Sequence, residues 1–216
     1  FIQVLQHTGC LFFLKERFMR VYCHFCETGQ VNTYLVCSGE RDCSALIIDP
    51  ADLDNELIRI IESHNLTIKA LLVTHNHENH VRAAGKFQKI YPCPVYAYSR
   101  TISGISTVQL KETLKMNIEG FTADVLHVPG HSDDSLVYVI ENAIFSGDTL
   151  QAGRVSSTSS FSKRADLIRN ISKKILCYDD NYLLFPAHGC PSKIRIERMM
   201  NYDMLETSVA LSENLL

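Results

Sequence analysis

Thr74-His75-Asn76-His77-Glu78-Asn79-His80 places three of the chain's nine histidines within six residues. It follows directly on the apolar run 68–73, which has the length and composition of a strand buried on both faces. A lone histidine is usually a satisfied core or surface residue. Three at the carboxyl end of a buried strand differ, because a loop there aims several imidazoles at one place without strand alternation separating them. Metal binding is the chemistry that needs this arrangement.

Working outward, three later segments repeat one pattern, an apolar strand, a small residue and then a metal-ligand side chain. They are Pro129-Gly130-His131-Ser132, Phe145-Ser146-Gly147-Asp148-Thr149 and Phe185-Pro186-Ala187-His188-Gly189. Zinc and similar ions take imidazole nitrogen and carboxylate oxygen together, and catalytic sites leave a position for water. Each segment alone is weak; four in series are a strong signal.

The remaining pattern is that of one α/β domain. Strands are expected near 21–25, 31–37, 45–48, 68–73, 95–98, 124–128, 136–140, 143–145 and 182–185. Amphipathic helices are expected from Asp52 to near Asn65, over 81–90, around 167–175 and from about Ser192. The stretch 100–120 is weakly patterned and receives no assignment. Strands followed by helix, twice over, imply two sheets covered by outer helices. Residues 1–18 are expected to form an extension of uncertain order, and residues 19–216 the domain.

At 216 residues, with 46% hydrophobic and 21% charged, the chain buries a full core without disulfides or a structural metal. The net charge of -3 is made of interspersed charges, which argues against a nucleic-acid surface. No apolar run spans a bilayer. Eight scattered cysteines form no framework, so free thiols in a reducing compartment, and hence a cytoplasmic protein, are expected. Cys23-His24-Phe25-Cys26 is formally a C-x-x-C, but in a strand positions three apart face opposite sides, and no metal or redox role is assigned to it.

From about Met19 to Asn201 the chain resembles the metallo-β-lactamase superfamily, specifically its small glyoxalase II-like hydrolases. The family's H-x-H-x-D-H motif aligns with residues 75–80, and its later histidine, bridging aspartate and final histidine match His131, Asp148 and His188. Gly153-Arg154 and Pro186-Ala187-His188-Gly189 also follow those hydrolases. The resemblance implies an αββα sandwich with metals at one edge. It assigns one ion to His75, His77 and His131 and a second to His80 and His188, with Asp148 bridging. Zinc is the first expectation, with iron or manganese as other candidates, and a metal-activated hydroxide is the implied nucleophile. Asp49 matches a buried aspartate that supports the metal loop, although an Asp-Pro turn before a helix reads equally well.

One position departs. Where the family has an aspartate that binds the second metal, this chain has Asn79, a neutral and weaker donor. Glu78 does not substitute, because that position of the motif points elsewhere. Asn79 and Asp148 are therefore the residues on which catalysis turns, and the second site is expected to be weak. The implied activity is hydrolysis of a thioester or related acyl bond in a small-molecule substrate. Only 28 residues follow His188, so the C-terminal glutathione-binding domain of full-length glyoxalase II is expected to be missing. Two alternatives remain open: a persulfide dioxygenase with a single iron, and a degenerate member that binds metal without turnover. Lactamase and nuclease activities are disfavoured, for want of a secretory signal and of room for an inserted domain.

Overall fold

The computed structural model describes residues 19–39 and 43–205, together with the backbone of residues 2–4 and 9–13. In chain order the first strands are β1 (Ile2–Val4), β2 (Gly9–Phe13), β3 (Arg20–Cys26), β4 (Val31–Cys37) and β5 (Ser44–Ile48). Helix α1 (Asn55–Ser63), strand β6 (Thr67–Leu72), helices α2 (Glu78–Val81) and α3 (Ala84–Ile90) and strand β7 (Val95–Ala97) follow. Short strands β8 (Thr101–Ile102), β9 (Ile105–Ser106) and β10 (Val108–Gln109) lead to β11 (Thr113–Ile118), β12 (Phe121–His127), β13 (Leu136–Ile140) and β14 (Ala143–Gly147). The last part holds β15 (Leu150–Gln151), β16 (Arg154–Val155), α4 (Phe161–Lys174), β17 (Leu183–Pro186), β18 (Ser192–Lys193) and α5 (Ile194–Met200).

Among the described residues the first sheet runs β1-β2-β3-β4-β5-β6-β7-β10 and the second β11-β12-β13-β14-β17-β18. Strand alternation builds the layers. Tyr34, Val36, Leu46, Ile48 and Leu72 face Tyr138, Phe145 and Phe185 across the sandwich, in one buried cluster. Their chain neighbours Leu35, Ile47 and Leu71 point the other way, onto Leu57, Ile61 and Phe87 of the outer helices. On the far side Val137, Ile144 and Leu184 pack against Leu167, Ile171 and Ile194 of α4 and α5. The result is an αββα sandwich in which the central strands are buried on both faces, which is why 68–73 carries no polar alternation.

β5, β6 and β7 are parallel, as are β14 and β17. Parallel pairs need crossovers, here α1, the α2–α3 pair and α4. Each crossover starts at the carboxyl end of its strand, so Asp49, residues 74–80 and Asp148 gather at one edge of the sandwich.

Three expectations need adjustment. α1 is capped by Asp54, whose side chain accepts the Leu57 N–H at 2.8 Å, whereas Asp52 accepts from its neighbour Leu53 and pairs with Arg82. The helix expected over 81–90 is two helices, because the Ala83 N–H turns aside to the Pro50 carbonyl. The unassigned stretch 100–120 forms β8 to β11; five of the six residues of β11 are not buried and its pairing with β12 slips between Thr113 and Met116, which erases the period-two pattern. Within residues 1–18, β1 and β2 continue the first sheet outward from β3, and the other residues of that extension lie outside the described ones. Among the described residues Cys26, Cys37, Cys43, Cys93, Cys177 and Cys190 are free; Cys26 is buried, while Cys23 is half-buried against the inter-sheet core.

Candidate metal centre

The ligand atoms of His75, His77, His131 and Asp148 lie within 4.8 Å of one another, and so do those of His80, Asp148 and His188. Asp148 belongs to both groups because its two oxygens face opposite ways. Oδ2 stands 3.8 Å from His75 Nε2 and 3.4 Å from His131 Nε2. Oδ1 stands 3.5 Å from His80 Nε2 and 3.4 Å from His188 Nε2. The sharp turn that presents it requires Gly147, at φ +54°: a Cβ there would come within 2.5 Å of the Thr74 hydroxyl.

Hydrogen bonding at the other ring nitrogens decides where each imidazole carries its proton. A carbonyl or carboxylate only accepts, so its histidine partner must donate. His188 Nδ1 donates to the Gln30 carbonyl at 2.7 Å and His80 Nδ1 to Asp49 Oδ2 at 3.0 Å. His131 Nδ1 donates to the Ser157 carbonyl at 3.2 Å, with the Ser156 hydroxyl 3.1 Å away. The Thr74 hydroxyl spends its proton on Asp49 Oδ2 at 2.8 Å, and therefore accepts from His75 Nδ1 at 3.1 Å. His75, His131 and His188 thus turn bare Nε2 atoms toward Asp148, and the Nε2 of His80 faces it too, open to a cation in place of its second proton. His77 adds its Nδ1, 2.9 Å from His75 Nε2 and 3.2 Å from His131 Nε2.

At these distances either a proton on His77 Nδ1 or a cation in its place must lie between that nitrogen and the bare nitrogens of His75 and His131. Atoms held about 2.0–2.1 Å from an ion in a tetrahedron stand roughly 3.3 Å apart, and the spacings around His77 and Asp148 bracket that value. His80 Nε2 and Asp148 Oδ1 are moreover buried without a hydrogen-bond partner among the described residues. The residues present therefore fit a pair of divalent ions, one on each side of Asp148.

Electrostatics agree. Burial, followed by the neighbouring His80, pushes His75 down to about 3, so it stays a neutral ligand near neutral pH. Burial and then His131 lower His77 as well. Burial alone would also lower His80, but the Asp49 and Asp148 carboxylates on either side overcome it and push His80 up to about 10. Burial acts to raise Asp148; His80, His75 and His188 outweigh it and hold the carboxyl well below the usual range. Positive charge is thus favoured between these two carboxylates.

Asp49 is the support beneath the loop. It is buried, adopts φ +51°, and its carboxylate accepts from the Thr74 N–H at 2.8 Å as well as from the Thr74 hydroxyl and His80. Asn79 is half-buried on α2 beside His80. Its Cβ packs where a side chain on Gly29 would sit, 3.0 Å away, and its amide makes no hydrogen bond among the described residues. Glu78 opens α2 and is exposed.

Several contributors went unread in the sequence. The carbonyls of Gln30 and Ser157 are backbone groups that no side-chain pattern reveals. Asp134, which accepts the Asn76 N–H at 3.0 Å, lies in the His131 loop, and an acidic residue two positions past Ser132 was its only signal. Beside the centre a cleft of about 430 Å³ is lined by His131, Asp148, Gln151, Arg154, Ser156 and Ser157 among others.

The sequence model of the metallo-beta-lactamase superfamily matches residues 26–107, which include the histidine loop. An uncharacterized protein of Mycobacterium leprae is 28% identical over 202 residues, covering 80% of this chain and 92% of that protein. A hydroxyacylglutathione hydrolase of Francisella tularensis is 32% identical over 148 residues, covering 67% of this chain but only 58% of the enzyme. The BLEG-1 B3 metallo-beta-lactamase superposes with a TM-score of 0.75 at 26% identity, covering 85% of this chain and 99% of that one. With the histidine loop inside the matched segment and the same sandwich around it, the chain has the metallo-β-lactamase fold and is similar to that superfamily over residues 26–107.

Proposed function

We propose that the protein is a metal-dependent hydrolase of thioesters or related acyl bonds, with hydroxyacylglutathione hydrolases as its functional relatives. The observation that carries this reading is Asp148, whose two oxygens each face a separate set of bare imidazole nitrogens. His75, His77 and His131 would hold one ion with Oδ2, and His80 and His188 the other with Oδ1. A divalent ion bound there polarises an acyl carbonyl and lowers the pKa of an attacking water to near neutrality. The chain's own residues supply the rest. Asp49, Thr74, Gln30 and Ser157 fix the protons of His80, His75, His188 and His131 on the far nitrogen, and the cleft beside His131 admits the acyl group.

The test is thiol release from S-lactoylglutathione by chelated protein to which zinc, manganese or iron is restored singly. Release that depends on the added ion is expected. Absence of release with every ion, or oxygen uptake on a persulfide by the iron form, would overturn the reading in favour of the non-hydrolytic alternatives.

Two further results are expected. An ion present at about a thousand times its dissociation constant stabilises the fold by about 4 kcal/mol, so chelation lowers Tm by roughly 8–16 °C in a thermal scan. Asn79→Asp adds an anionic donor beside His80 and raises the metal content from one tightly held ion per chain toward two. Two tight ions already present in the unsubstituted protein would contradict the weakness assigned to the second site.

A further inference from the structure

The geometry points to Asp203, which follows α5, as a positioning residue for His131. This inference rests on the reading of His131 as a metal ligand. Asp203 is buried, and one carboxylate oxygen accepts the Val155 N–H at 2.7 Å while the other accepts from Arg164 at 2.6 Å. The same stretch of chain holds the β15–β16 turn at two more points. Fully buried Glu197 accepts the Gly153 N–H at 2.9 Å, and the Tyr202 N–H donates to the Gly153 carbonyl at 3.1 Å.

Val155 is followed at once by the two residues that contact His131 Nδ1, through the Ser156 hydroxyl and the Ser157 carbonyl. A neutral imidazole carries its proton on either nitrogen, and only the proton on Nδ1 leaves Nε2 bare for a metal. The Ser157 carbonyl enforces that form because it can only accept. The Ser156 hydroxyl enforces nothing, since it donates as readily as it accepts. If the segment drifts, His131 Nδ1 loses the Ser157 carbonyl, the one partner that can only accept, and the proton is free to settle on Nε2, where it blocks the ligand atom. Asp203 prevents that drift by tying the Val155 amide and the α4 residue Arg164 to one rigid carboxylate. Residues after α5 are thus a working part of the centre without touching it.

The experiment compares the full chain with Asp203→Asn, which keeps the shape but loses the charge and the second acceptor. Zinc affinity is read by competition with a chromophoric chelator, and the ¹⁵N shifts of the His131 ring report its protonated nitrogen in the metal-free protein. Zinc binding weaker by roughly 10- to 100-fold is expected, the range for loss of an outer partner of a ligand, together with a shift of His131 toward the Nε2–H form. A folded Asp203→Asn protein with unchanged affinity and unchanged ring shifts overturns the proposal. A merely structural role would lower Tm and leave His131 as it was. Should Asp203→Asn fail to fold, Arg164→Gln decides. It leaves the Val155 bond in place and is expected to weaken zinc binding less but in the same direction, and unchanged binding overturns the proposal. An unsubstituted protein that binds no zinc overturns the metal reading itself, an outcome distinct from wild-type binding that survives in the variants.

Discussion

Asp148→Ala is expected to lower thioester hydrolysis more than about 100-fold, beyond the 10- to 100-fold cost of losing an outer partner of a ligand. The reason is its double occupancy. Oδ2 faces His75 and His131 while Oδ1 faces His80 and His188, all within 3.4–3.8 Å, so one truncation removes the carboxylate that the two groups share. Loss of His188 alone would damage one group and leave the other whole. Asp148→Asn sharpens the comparison, since it keeps the side chain's volume and removes only the charge that offsets two cations. Steady-state kinetics at saturating zinc, with metal content measured on the same samples, check the result. An Asp148→Ala protein with near-normal turnover would contradict the assignment of both groups.

Asp49→Ala is expected to have the largest effect on stability. Three donors converge on this buried carboxylate: the Thr74 amide, the Thr74 hydroxyl and His80 Nδ1. Truncation leaves all three without an acceptor in an enclosed place, which costs about 3–5 kcal/mol for a broken buried pair. Alanine also tolerates φ +51° less well than aspartate does, adding roughly 1 kcal/mol. Together these correspond to a fall in Tm of roughly 8–24 °C for a chain of this size. Asp49→Asn accepts the same backbone conformation and keeps one acceptor oxygen for the Thr74 amide, so it should lose less stability. It should still bind metal roughly 10- to 100-fold more weakly, because the His80 proton loses its carboxylate. Urea unfolding of the chelated proteins separates the fold's loss from the metal's. Stability of Asp49→Ala within about 0.5 kcal/mol of the parent, as for an ordinary surface substitution, would contradict the account.

Much of this was readable in the residues themselves. Central strands buried on both faces announce themselves as mainly apolar runs, interrupted by Asn32 and Thr33 in 31–37 and by Lys69 in 68–73 and unbroken in 136–140, so these were legible, and with them the two-sheet architecture. The histidine loop and the segments around His131, Asp148 and His188 were legible because ligand side chains follow small residues at strand ends. What escaped shows why sequence reading stops where it does. The edge strand Thr113–Ile118 is largely exposed and bulged, so it has no hydrophobic period to detect. The choice between Asp52 and Asp54 as helix cap depends on which carboxylate reaches the Leu57 N–H, and only the folded backbone decides that. The proton positions of His188 and His131 rest on carbonyls of Gln30 and Ser157, and every residue has a carbonyl. Asp49 read equally well as a turn residue, and only the three-dimensional approach of β5 to the loop after β6 brings its carboxylate onto Thr74 and His80. Asn79 was conspicuous as a departure from the family's pattern, while its packing against Gly29 was not.

The account stands most directly on one titration, in which chelated protein is resupplied with zinc while bound metal and thiol release from S-lactoylglutathione are followed together. Release that starts from zero and rises with the ions bound at the His75–His77–His131–Asp148 group is the expected result. Thiol release that survives complete chelation, or a protein that takes up no zinc, would contradict it.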